Sequence, residues 1–307
     1  MPFCEADPWR QQYFDGIACP PGVRIPTEDA DAYQWNPAHR WIYNKLLVAE
    51  SQGIACGPHG VHPPDFPVFS KPIMNLHGMG VGSRVLHDLA DYERNETAGH
   101  FWMTLLEGEH VSSDVVVQRG RTLWVRHCLG TPDGDGTFDH WTIEPGNRPQ
   151  LEAYLDAWVA RHLASYTGML NAETIGGRII ETHLRVADQW PDLYEKGWLE
   201  AVVELYARGS WTLGSRERRV GYSVALFGPH GREYRHPPAA LIEAVRRMPQ
   251  VTSVQITFHE DRPAAAHAMP PGGFRLAVIN CWDLEAGWAA RARLAAAWGA
   301  PAAERGG

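Results

Sequence analysis

ETIGGRIIETHLR, residues 173–185, sets two glutamates, a histidine and an arginine around a glycine pair inside an apolar run. Gly176-Gly177 reads as the turn of a β-hairpin. Two registers are open. A two-residue turn puts position 173 across from 180 and sends Glu173 and Glu181 to opposite faces, whereas a three-residue turn puts 173 across from 181 and both carboxylates on one face. In the second register Glu181, His183 and Arg185 line one face while Thr182 and Leu184 line the other. Carboxylates set directly opposite each other repel unless positive charge lies between them. A hard divalent cation such as Mg²⁺, carrying nucleotide phosphates, suits that role, and Arg185 could clamp a phosphate or carboxylate through two hydrogen bonds. The competing reading is a solvated strand face with cross-strand Glu–Arg pairs.

Composition narrows the partner. The 307 residues are 44% hydrophobic, enough for real cores, and carry a formal charge of −8 with a pI near 6.0, so neither nucleic acid nor a membrane surface is expected. A small molecule is. No basic stretch precedes an apolar one at the start and no window reaches a membrane span, which predicts a cytoplasmic protein. The five cysteines, Cys4, Cys19, Cys56, Cys128 and Cys281, are odd in number and form no CxxC, so buried or idle thiols are expected rather than disulfides or a zinc knuckle. A histidine-rich metallohydrolase fails on spacing, since no HExxH is present.

Periodicity divides the chain into four stretches. Residues 1–38, rich in Pro, Asp and Trp, read as an extended or loosely folded lead-in. Residues 39–100 begin with a helix over 41–53, ended by Gly53, then a short strand at Val68-Phe69 that delivers Lys71 to its end. Residues 101–212 read as a meander of strands followed by a helix over 148–166, the quoted hairpin and a helix over 198–209. The run of charge from Arg216 to Arg219 marks a linker, and 220–307 reads as a small α+β unit.

Lys71 sits just ahead of NLHGMGVGSR, whose Gly78, Gly80 and Gly82 allow backbone N–H groups to approach phosphate oxygens closely. The loop is neither a Walker A motif nor a GxGxxG, and alone it reads more readily as a structural turn.

Taken in order, these pieces resemble the ATP-grasp superfamily over residues 40–211. YNKLLVAESQGI resembles the helix with a first phosphate-contacting lysine, Lys45. FPVFSKPIMNLHGMGVGS resembles the strand with the second, Lys71, running into a mobile lid. FWMTLLEGEHVSSDVVVQ resembles the hinge and following strands, keeping Gly108, Glu109, Ser112 and Asp114; GGRIIETHLR resembles the metal-binding strand; and PDLYEKGWLEAVVELYARG resembles the helix that closes the fold.

The resemblance implies an α+β fold of two subdomains whose antiparallel sheets cradle ATP, with a small C-terminal α+β domain. It implies ATP and Mg²⁺, or Mn²⁺, as cofactors. Lys45, Lys71, Gly78, Gly80, Gly82 and Glu109 would contact the nucleotide, with adenine held by backbone around Met103, Thr104 and Leu105. Glu173, Glu181 and His183 would hold the metal, and Lys71 and Arg185 would serve catalysis. The implied reaction is ADP-forming ligation: a substrate carboxylate becomes an acyl phosphate and is captured by an amine or similar nucleophile. A small-molecule kinase and a non-catalytic nucleotide-binding regulator are the alternatives.

His183 stands where the family usually has a ligating asparagine, which implies either a softer metal or contact with substrate. Arg126, His127 and His140 could contact the acceptor, and Asp188 and Gln189 the substrate. Only about forty residues precede Lys45, where the family has a whole α/β domain; the C-terminal unit, a second copy or a partner subunit would take over its role.

Overall fold

The computed structural model describes residues 3–18, 20–187 and 189–299; Cys19 and Asp188 lie outside these. In chain order the strands are β1 (Phe3–Cys4), β2 (Ile25–Pro26), β3 (Cys56–Pro58), β4 (Val68–Pro72), β5 (Arg84–Leu86), β6 (His100–Thr104), β7 (His110–Gln118), β8 (Arg121–Gly134), β9 (Thr137–Ile143), β10 (Gly168–Ile175), β11 (Arg178–His183), β12 (Gly221–Gly228), β13 (Val251–Ile256) and β14 (Phe274–Cys281). The α-helices are α1 (Pro8–Gln11), α2 (Asp29–Trp35), α3 (Lys45–Ser51), α4 (Leu89–Arg94), α5 (Pro149–His162), α6 (Trp198–Arg208), α7 (Ala239–Arg246) and α8 (Leu284–Trp298).

Two antiparallel sheets organise the site. The smaller has the order β3-β6-β4-β5, the larger β11-β10-β7-β8-β9-β12-β14-β13. Residue alternation decides what each face of the larger sheet meets. On β7, Val111, Val115 and Val117 join Leu170 and Ala172 of β10 in a core against Leu151, Leu155, Trp158 and Val159 of α5. Each such aliphatic side chain, once buried, contributes roughly 2 kcal/mol. On the opposite face Val116 and Met169 pack with Trp198, Val202 and Leu205 of α6, the acidic and amide groups of β7 and β10 lying farther along.

The two sheets meet around α3. Ala49 of this helix, Phe101 and Met103 of β6 form one buried cluster, against which Ile180 of β11 packs. The chain passes from one sheet to the other through residues 105–109, where Leu106 belongs to the same cluster.

Two stretches behave differently from their sequence pattern. Residues 3–18 and 20–38 are not a loose lead-in: Phe14 and Ile25 are fully buried, β1 pairs with β2 in parallel, and Gln12 Nε2 donates to the Val254 carbonyl at 3.1 Å. Their apolar residues are spaced irregularly because they cap the larger sheet rather than line one face of a helix or strand. The C-terminal stretch in turn extends the larger sheet, since β12 pairs with β9 over Gly221↔Ile143 to Val224↔His140. Helices α7 and α8 cover it with Ile242, Val245, Leu294 and Trp298. Among the described residues no helix is long and apolar enough to cross a membrane.

Candidate active site

The hairpin resolves its register in an unexpected way. Gly176-Gly177 form a two-residue turn, with Ile175 paired to Arg178 and Thr174 to Ile179, yet Glu173 pairs with Glu181. Ile180 is the extra residue of a β-bulge, and it shifts the register so that both carboxylates share a face. The turn itself is pressed against the chain entering β7. Gly176 has φ +55°, and a Cβ there would overlap the carbonyl oxygen of Glu107, so only glycine fits.

Lysines from two separate elements converge on this pair. Lys45 opens α3, whose N-terminus is capped by the Asn44 side chain, and its Nζ lies 2.7 Å from Glu181 Oε1. Lys71 comes from β4 of the smaller sheet and donates from Nζ to the carbonyl of the bulged Ile180 at 2.8 Å. Burial, and then the charge of Lys45, pull the Lys71 ammonium down; Glu181 and Glu173 resist, and it lies at about 7. From β7, on the other side of β10, His110 Nε2 donates to Glu173 Oε2 at 3.1 Å. Burial pushes the Glu173 carboxyl up, but the His110 hydrogen bond and charge, with help from His183 and Lys45, outweigh it and hold the group at about 2. Glu173 is thus kept ionised by the protein's own cations, and Glu181 is paired with Lys45.

A third charged group, missed in the sequence, comes from the N-terminal stretch. Asp29, the first residue of α2, is buried. It accepts from His183 Nδ1 at 2.9 and 3.0 Å and from Arg185 Nε at 3.1 Å. Burial raises its carboxyl, but the charges of His183 and Arg185 prevail and hold it far below the usual carboxylate range. Burial in turn lowers the His183 imidazole, and the Asp29 charge more than restores it, leaving it raised. His183, expected in the metal-ligand set, thus commits Nδ1 to Asp29, the carboxylate partner that orients a ligating imidazole and leaves its other ring nitrogen to face a cation. That nitrogen, Nε2, faces Glu181 Oε1 at 3.8 Å.

The remaining expected residues fall in several places. Gly78, Gly80 and Gly82 all have positive φ, as does Met79 between them, and Gly82 rests on the His100 ring and Pro72. Met103 is buried in the cluster beneath the site. The Thr104 amide donates to the Ala55 carbonyl at 2.9 Å, and β6 ends there, freeing the backbone from the sheet ladder at Leu105. Glu109 is exposed, with its carboxylate held by Arg148 Nη1 at 2.7 Å. His127 is buried on the face of β8 toward α5: the Ser113 hydroxyl donates to its Nδ1 at 2.8 Å and its Nε2 donates to Glu152 at 3.3 Å. His140 is held by Asp139 at 2.7 Å, and Gln189 Nε2 donates to Ser223 Oγ at 3.2 Å. Arg126 is buried against Glu195 at 3.4 Å.

On the face that carries the glutamates, a row of buried polar groups runs inward. Asn171 donates to Ser112 Oγ at 2.9 Å and to Asp114 Oδ1 at 2.8 Å, and the Tyr194 hydroxyl donates to Asp114 Oδ2. Burial pushes Asp114 up despite those bonds.

Among the described residues no group of three or more His, Cys, Asp or Glu side chains is arranged to hold a metal. A magnesium ion needs less: one or two carboxylates, with phosphate oxygens and water completing the shell. Glu173 and Glu181, paired across the hairpin on one face, fit that requirement.

No family model and no curated protein matches the chain. Solved structures do. The chain is similar to an L-amino acid ligase from Bacillus licheniformis, with TM-score 0.59 and 12% identity over 84% of this chain and 71% of that one. It is similar to an N5-carboxyaminoimidazole ribonucleotide synthetase from Thermus thermophilus, with TM-score 0.57 and 17% identity over 90% and 82%. A carboxyaminoimidazole ribonucleotide synthase from Aspergillus clavatus, complexed with ATP, gives TM-score 0.54 and 12% identity over 89% and 77%. At these identities the likeness is one of fold, and the fold is that of ATP-grasp ligases.

Proposed function

We propose that this chain, built on the ATP-grasp fold, is an ATP-dependent ligase that converts a substrate carboxylate to an acyl phosphate for capture by an amine or similar nucleophile. The observation that carries the reading is the convergence of Lys45, Lys71, Glu173 and Glu181 where the two sheets meet. Nucleotide phosphates entering there meet two ammonium groups drawn from different elements, and the backbone leaving β6 at Leu105 offers hydrogen bonds for adenine.

Lys71 and Lys45 bind and orient the phosphates, which is most of what phosphoryl transfer asks of a protein. A divalent cation held by Glu173 and Glu181 would neutralise charge developing on the transferred group. His183 and Asp29 fix Arg185 at the end of the same row, where its guanidinium steadies the phosphoryl group and the acyl phosphate. Residues 78–82, with left-handed backbone at Gly78, Met79, Gly80 and Gly82, form the lid that closes over the phosphates and excludes water.

Calorimetric titration with ATP, with and without Mg²⁺ or Mn²⁺, tests the site. Metal-dependent binding that disappears in Lys71→Ala supports it, and screening carboxylates with amines for ADP release then tests the reaction. ADP release that needs no amine would favour a kinase. Failure to bind ATP under any metal would set the ligase reading aside.

A further inference from the structure

Strand β9 ends at Ile143, opposite Cys128, so the part of β8 before Cys128 has no strand on that side. Residues 216–219 cover it instead: Arg218 Nη2 donates to the Val125 carbonyl at 2.9 Å and Arg126 Nη2 to the Arg219 carbonyl at 2.6 Å. Beside this segment lies a cavity of about 540 Å³, within the size range of sites for small organic ligands. Trp124, Trp211 and Leu213 form its apolar wall, and Glu195, Arg216 and Arg218 its polar one. Neither lysine and neither glutamate of the hairpin site lines it. Trp124 is four residues along β8 from Cys128, the position in register with Ser112, Glu173 and Glu181.

The charges around the cavity do not balance. Glu195 has 1% of its side chain exposed, and it already receives Arg218 Nε at 2.8 Å, Trp124 Nε1 at 3.2 Å and the Arg126 guanidinium at 3.4 Å. Arg126 itself is fully buried, with its Nε and Nη1 lacking a hydrogen-bond acceptor. Arg216 is exposed on the cavity and has no ion-pair or hydrogen-bond partner among the described residues. Arg218 on the cavity and Arg126 behind it thus share one carboxylate, and the exposed Arg216 on the rim adds a further positive charge, an excess that favours an anionic guest. The two indoles, with centroids 6.1 Å apart and planes at 52°, present a wall suited to an aromatic or branched apolar body.

We infer that this cavity is a second small-molecule site, separate from the nucleotide cleft, that takes an aromatic carboxylate. Its ring packs on Trp124 and Trp211, and its carboxylate is held by Arg216. The inference does not depend on the proposed ligase activity.

Phenylacetate is the probe, followed through the Trp124 and Trp211 indole N–H resonances, assigned with Trp211→Phe. Both signals should shift saturably. Arg216→Gln, a substitution at an exposed position, should weaken binding by about tenfold, as loss of a charged hydrogen-bonding partner does. Phenylacetamide, which has the ring without the charge, and acetate, which has the charge without the ring, should both bind far more weakly. Saturating ATP should leave the phenylacetate shifts in place. Equal binding by Arg216→Gln, displacement by ATP, or no saturable shift at either indole would overturn the assignment.

Discussion

Lys71, on the smaller sheet, donates its Nζ to the carbonyl of Ile180, the residue of β11 that the hairpin's own β-bulge leaves out of register. The same bulge that brings Glu173 opposite Glu181 therefore supplies the acceptor that positions a lysine above them. The two sheets are joined at the point where their chemistry meets.

Lys71→Met should abolish nucleotide binding and at the same time stabilise the ligand-free protein in a pH-dependent way. The ammonium is depressed from its ordinary 10.5 to about 7 in the folded state, so between those values the unfolded chain binds more protons and stability rises with pH. The cost of burying Lys71, on the order of 3–5 kcal/mol, is fully present below about pH 7 and fades toward pH 10.5. Urea denaturation of both proteins from about pH 6 to pH 9.5 checks this; a stability difference that stays constant across that range removes the argument.

Glu181→Gln strands Lys45, whose side chain is only 7% exposed, without its 2.7 Å partner. Breaking such a pair from one side costs about 3–5 kcal/mol. Metal dependence of ATP binding should be lost as well. Lys45→Met combined with Glu181→Gln should recover part of the stability but none of the metal dependence, measured by denaturation and calorimetry. Full metal dependence in Glu181→Gln would return the hairpin to an ordinary strand face.

Asp29→Asn should lower the His183 pKa, because the Asp29 charge is what holds it up. In the parent protein the raised His183 contributes stability that is complete below its unfolded value and lost as pH rises through its folded one. The depressed Asp29 contributes stability that is present above its unfolded value and lost as pH falls through its folded one. The pair is thus most stabilising in the mildly acidic window between them, and the variant should flatten stability there. Titration of the His183 imidazole by NMR decides: an unchanged pKa in Asp29→Asn would falsify the coupling.

Gly176→Ala introduces a Cβ that collides with backbone at Glu107, on top of a left-handed φ, and should cost about 2–4 kcal/mol. Gly177→Ala meets open space at φ +77° and should cost about 1 kcal/mol. Thermal melts of the two variants give the comparison; equal losses would mean that the contact between the turn and the chain entering β7 contributes nothing.

Much of the site was legible because local pattern carries it. Alternation along residues 181–185 and the glycine turn identified the glutamates, and a strand ending in Lys71 before a glycine-rich loop identified the lysine. The bulge was not legible, since the extra residue, Ile180, is identical to Ile179 before it and only pairing reveals it. Asp29 was hidden for another reason: its partners lie 154 and 156 residues away, and no spacing rule spans such a distance. The cluster of Arg126 with Glu195 was opaque for the same reason, and the continuation of the larger sheet into β12 depends on an edge pairing that neither strand encodes by itself.

The seating of the N-terminal stretch has a consequence for the newborn chain. Gln12 finds its acceptor on Val254, 242 residues later, and at roughly 5–20 residues per second a ribosome takes on the order of 10–50 seconds to make what lies between. Asp29 emerges early, but its partners His183 and Arg185 follow 154 and 156 residues later. The hairpin with its two glutamates, and Asp29 upon it, can therefore come together before β13 exists, and the last strands fix only the outer end of the N-terminal stretch, at Gln12.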